Sequence, residues 1–334
     1  MKQRCTPVRP NEHKGKLTLA IGWNLPNLNR CREGSFKGGT KGAAPWPRAG
    51  WALVLPDDGI GARRRVSMTE ARMRNVDLAD YDRPPVIEVV YGAAFAPLKA
   101  WKVPHIGLFW QRIFEEFPRC EQVLPILGTD LVDPSGLPVP RVWLINDEDD
   151  RLVQLQPGRF LFNWRRRKNA GPYPRYNTLS DRFFGLFQEF QSFVSENRLG
   201  EIEVSEYELT YINHIFEQEN WKFPDSIDRV IEHFSWKKER YEFLPKPFPI
   251  NWQVRFDFRE GPGALLAKVS SARHAKEEKD VLVLELSARG VPAETPLSEM
   301  KNWFSHAHRW IVRGFEDLTS EEAQKELWVK HEQR

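Results

Sequence analysis

The chain of 334 residues carries 49 Lys and Arg against 46 Asp and Glu, a net charge of +3. With 41% hydrophobic residues and 13 tryptophans it can bury a substantial core, which excludes wholesale disorder. Cys5, Cys31 and Cys120 are scattered and odd in number, which argues against a disulfide framework or a zinc knuckle and suits a reducing cytosol.

The apolar run "LTLAIGW" follows Lys14 and Lys16 but is too short for an export signal, and Asn24, Asn27 and Asn29 stand where small residues would mark cleavage. No stretch approaches the roughly 18–20 apolar residues of a membrane-spanning helix. A cytoplasmic protein without a membrane partner is expected.

Residues 1–67 differ from the rest. They hold 13 Lys and Arg against 4 Asp and Glu, and 9 of the 21 glycines, with neither a period of 2 nor one of 3.6. One reading is a disordered basic arm for nucleic acid or an anionic surface. The other is upstream sequence ahead of a true start at Met68 or Met73, and the aperiodic composition favours it.

Beyond Pro84-Pro85, residues 86–95 read as a strand. "VPHIGLFWQRIFEEFP" reads as a helix, with Pro104 in its first turn and Ile106, Phe109, Trp110, Ile113 and Phe117 on one stripe. The span 119–140 reads as a long loop with an extended piece at 123–127. "RVWLIN" and "RLVQLQPGRFLFNW" predict two strands joined by the acidic turn Asp147-Glu148-Asp149-Asp150, with a bulge at Pro157-Gly158. The four acids diverge around a tight turn, so they read as solvated rather than as a metal site.

After the basic turn Arg165-Arg166-Arg167-Lys168, Ser180 and Asp181 offer caps for a helix with Phe183, Phe187, Phe190 and Val194 on one stripe. "VSEYELTYINHIF" alternates as a strand, placing Tyr207, Leu209, Tyr211 and Asn213 on one side. A Pro-containing passage at 218–248 reads as a connecting segment. Beyond it come three strands and a long helix, "LSEMKNWFSHAHRWIVRGFEDL", then a short capped one from Thr319 through Trp328.

The expected fold is α+β, antiparallel sheets packed against long amphipathic helices. Its N-terminal α+β subdomain spans 84–217 and its C-terminal β-β-β-α subdomain 249–330. The two long helices share a Leu-Ser-acid opening, so a duplicated sheet-plus-helix unit is one reading and shared capping chemistry the other.

No glycine pattern makes a phosphate cradle, and no nucleophile elbow or kinase set is present, so no cofactor, metal site or catalytic residue is assigned. His306 and His308 lie about 200° apart around a helix and cannot chelate one ion, leaving one at the helix–sheet seam and the other toward solvent. The polar candidates are Tyr211, Asn213, His214 and His308. Arg165, Arg166, Arg167, Lys168 and Arg175 form a possible contact patch. Phe160, Phe162 and Trp164 alternate just before it, and burial against the Phe-rich helix is favoured over base stacking.

The segments Pro84–Val89, Asn163–Arg165, Tyr173–Tyr176, Tyr211–Asn213, Ala307-His308 and Phe315–Thr319 occur in an order that resembles a sporadically distributed bacterial family of uncharacterised proteins. The resemblance covers about residues 84–330 and leaves residues 1–67 outside. It implies no reaction, and its patchy distribution suggests a mobile or defence-type locus. The function expected is a non-enzymatic accessory protein, chaperone-like or antitoxin-like, with a protein partner encoded nearby. The alternatives are a nucleic-acid-binding protein using the basic turn 165–175 and an enzyme with an unrecognised site.

Overall fold

The structure is a computed structural model and describes residues 78–124, 140–167, 171–218, 226–232, 249–274, 279–291 and 297–331, with 222, 234 and 243 between them. The arm 1–67, the candidate starts Met68 and Met73, and Lys168 lie outside the described residues.

Strand β1 (Val86–Phe95) begins where Pro84-Pro85 releases the chain into β-branched residues. Helix α1 (Val103–Ile113) carries Pro in its first turn and buries Ile106, Phe109 and Ile113. The 119–140 span is not all loop: Arg119–Val123 forms β2, earlier than the expected extended piece. It pairs only with β3 (Arg141–Ile145), so as an edge strand it has no buried face and no alternation to read.

The expected second strand is two, β4 (Arg151–Gln156) and β5 (Arg159–Arg165). Pro157-Gly158 is therefore a two-residue hairpin turn rather than a bulge, with Gln156 paired to Arg159. Gly158 sits at φ +72°, and a Cβ there would lie 2.6 Å from the Phe95 carbonyl oxygen.

Helix α2 (Arg175–Glu196) starts a turn ahead of its expected caps, at Pro174. Ser180 is inside the helix and buried, its Oγ donating to the Asn177 carbonyl at 3.0 Å. Strands β6 (Val204–Phe216), β7 (Asn251–Asp257), β8 (Ala264–His274) and β9 (Lys279–Gly290) follow, then helices α3 (Leu297–Leu318) and α4 (Glu321–Glu326). Ser320 caps α4, its Oγ accepting from the Ala323 amide at 3.1 Å.

The fold is α+β, and its strands form one antiparallel sheet in the order β2-β3-β4-β5-β1-β6-β9-β8-β7. The two expected sheets are continuous, because β1 pairs along its length with β6. In each half the first strand lies beside the last strand of a meander, and a long helix follows. Nor does the 218–248 stretch only link the halves: Ile227, Val230 and Ile231 are buried, and Ile231 bridges to Thr319. Among the described residues no helix is long and apolar enough to cross a membrane.

Helices α1, α2 and α3 cover one face of the sheet. Phe160 meets Phe109 of α1 and Phe183, Phe187 and Phe190 of α2, with centroids 5.0 to 6.4 Å apart. Tyr91 and Tyr207 meet Phe304 of α3. Phe160, Phe162 and Trp164 are thus core, each burial contributing about 1.5–3 kcal/mol.

The middle of the other face is buried too, and there polar side chains lie among Leu152, Leu161 and Ile212. Gln154 accepts from Arg141 and from Trp143 and donates to Asn163, which donates to Glu88 at 2.6 Å. Across β6, Glu208 meets Arg289, Arg159 and the Thr210 hydroxyl, which also bonds Ser287 at 2.7 Å. Burial pushes the Glu88 carboxyl up, opposed by Asn163 and the nearby arginines.

Candidate functional site

Of the expected contact patch, Arg165, Arg166, Arg167 and Arg175 are each held by groups of the protein. Asp149, at φ +60° in the acidic turn, receives Arg165 and Arg167, each at 2.8 Å. Arg166 donates to the carbonyls of Val86 and Pro84, both at 3.1 Å. One carboxylate of the acidic turn thus takes two guanidiniums of the basic turn, while Arg166 is held by neutral carbonyls. Arg165 is also nearly buried, its guanidinium over the Trp143 ring, and its Nε has no partner. With Phe160, Phe162 and Trp164 in the core, no aromatic of that triplet is left to stack on a base.

Arg175 lines a cavity of about 550 Å³ between α2, α3 and the sheet. Four elements supply its polar groups. The Tyr173-Pro174-Arg175-Tyr176 turn enters α2 with Arg175 itself at φ +68°, a left-handed conformation that a residue with a Cβ adopts only at a cost in strain. Arg175 is held there by the Asp80 carboxylate and the Tyr81 carbonyl. Alternation on β6 aims Tyr211 and Asn213 inward. On α3, Ser305, His308, Val312 and Phe315 recur at spacings of 3 and 4 and face the same space.

The hydrogen bonds are mostly local. Tyr173 donates to the Tyr211 hydroxyl at 2.9 Å, and the Tyr91 hydroxyl beneath donates to the Tyr176 carbonyl at 3.4 Å. Asn213 gives its amide N–H to the Leu284 carbonyl at 3.0 Å, leaving its oxygen as an acceptor. His308 stacks on Tyr176 with centroids 4.1 Å apart and planes 13° from parallel. Among the described residues neither His308 ring nitrogen has a hydrogen-bond partner.

Burial fixes the protonation states. It pushes the Tyr173 hydroxyl up to about 12 and raises those of Tyr176, Tyr91 and Tyr211 as well, so all stay protonated donors. It lowers His308 to about 4, so the imidazole is neutral at physiological pH. The inner wall therefore offers uncharged donors and acceptors on an aromatic frame. Asp80 lines the same cavity as His308, but its carboxylate is held by Arg175 and the Tyr81 amide.

Of the polar candidates, Tyr211, Asn213, His308 and Arg175 converge here. His214 does not: it points to the opposite face of β6 and meets Phe216 edge-on at 6.1 Å. His306, expected at the seam or in solvent, is half-buried against Phe258 and accepts from Trp310 at 3.0 Å. Tyr173, Tyr176, Ser305 and Arg309 were not singled out as site residues from the sequence, although Tyr173 and Tyr176 bound one segment of the resemblance. The signal for Ser305 was its spacing of 3 from His308, and Arg309 lies 4 beyond Ser305. No protein-family model, curated protein or solved structure matches the chain.

Proposed function

We propose that this chain is a binding or accessory protein and that it works through the tyrosine–histidine cavity. The observation that carries this reading is His308, a neutral imidazole in a cavity wall with its nitrogens unspent. The volume is in the range of small-ligand sites, roughly 300–1,000 Å³. The strained Arg175 at the rim is the kind of backbone cost that a site holds in place. Every segment behind the family resemblance lends a lining residue except Asn163–Arg165. A partner of the accessory kind would insert a side chain or a small group here.

The reading extends to a duplicated unit. The sequence separation of Leu179 from Leu297, the matched helix openings, equals that of Tyr91 from Leu209, which pair at the middle of β1 and β6. The cavity then lies where the two units meet, with walls from both. Asp149 engages Arg165 and Arg167, and the neighbouring aromatic triplet is buried, which favours the cavity reading over a nucleic-acid surface at the basic turn.

Ser305 is exposed on the cavity wall, so Ser305→Trp would occlude the space without touching the core. Mass spectrometry of small molecules and peptides retained by natively purified protein should show species lost from Ser305→Trp. Identical retained sets would count against the cavity as the working site.

A further inference from the structure

Resting on the reading of this cavity as the binding site, we propose that its ligand is an amphipathic monoanion, an apolar or aromatic body ending in one carboxylate. The charged side chains of the wall are Asp80, Arg175 and Arg309. Asp80 and Arg175 cancel each other in an ion pair. Among the described residues Arg309 has no carboxylate within ion-pair distance, and its guanidinium hydrogen-bonds the His306 ring at 3.3 Å. The wall is thus one positive charge out of balance, and the neutral His308 and the protonated tyrosines do not change that count.

A cationic ligand would meet Arg309 unopposed, and a dianion would lack a second cation. A monoanion is matched, and a carboxylate can take two parallel N–H donors from one guanidinium. The body follows from the apolar lining: Val86, Leu286, Ile311, Val312 and Phe315. At roughly 30 Å³ per water-sized group, the space holds about 18 non-hydrogen atoms. That is room for a ring with a short chain.

The test is a charge series on one body: 4-phenylbutanoate, 4-phenylbutanamide and 4-phenylbutylamine, titrated calorimetrically into the full chain. The carboxylate is expected to bind, the amine not, and Arg309→Gln to weaken the carboxylate about tenfold or more, to the level of the amide. Ser305→Trp should abolish binding. An amide that binds wild type as tightly as the carboxylate, or an Arg309→Gln variant with unchanged affinity, overturns the anion assignment while leaving the cavity as a site. Binding of none of the three also overturns it. In that case species retained by wild type and lost from Ser305→Trp keep the cavity reading, and equal retention by both removes it as well.

Discussion

At the scale of single residues, His308 sets the chemistry of the cavity. It lies on a face-to-face stack with Tyr176 and is kept uncharged by burial. In the unfolded chain its ring takes a proton near the ordinary value of 6.5, and in the fold only near 4. The neutral ring's stability is therefore whole above pH 6.5 and is lost as the pH falls toward 4. The slope cannot exceed about 1.4 kcal/mol per pH unit for one proton, and partial exposure brings the total to roughly 2 kcal/mol. His308→Phe keeps a ring on Tyr176 and removes the titration. Urea unfolding from pH 4 to 7 should show a flatter profile for this variant. His306 and His105, also lowered by burial, would leave a residual slope. Equal slopes in variant and wild type would place His308 in solvent.

At the scale of elements, turns rather than strands account for most of what the sequence concealed. Strand β1 and helix α1 were legible because a Pro stop and a 3-and-4 spacing are local signals. The hairpin at Pro157-Gly158 was not, since a Pro-Gly pair serves a bulge and a turn alike, and only the pairing of β4 with β5 decides. The start of α2 was hidden because Arg175 begins it from a left-handed backbone with help from Asp80, which is distant in sequence. The acidic turn was legible as a turn but not as the partner of Arg165 and Arg167. Asp149→Ala should cost about 1–3 kcal/mol, because it strands a nearly buried guanidinium while part of the pair is solvated. Chemical denaturation with an unchanged slope would measure this. A variant as stable as wild type would show that the ion pairs do not hold the turn.

At the scale of the whole fold, the α+β class and the face of β6 that meets the helices were readable from alternation. The polar back of the sheet was not. Glu88, Gln154, Asn163, Arg165, Glu208 and Thr210 carry the polar half of each alternation, which reads as a solvated face. Gln154, Asn163, Glu208 and Thr210 are buried with their polar groups taken up by neighbours, and the Asn163–Glu88 and Thr210–Ser287 bonds join strands far apart in sequence, a pairing that no local pattern displays. The same long-range assembly brings Tyr173, Tyr211, Asn213 and His308 to one cavity from three segments that the sequence gives no reason to associate.

The central claim is that this cavity binds. The most direct measurement is histidine-selective carbon–proton NMR of the full chain, with His308 assigned by His308→Phe, on adding the small-molecule fraction released from natively purified protein. The His308 resonance should shift while that of His105, which lies on α1 against Trp101, stays in place. A silent His308, or a shift shared equally by both, would contradict the account.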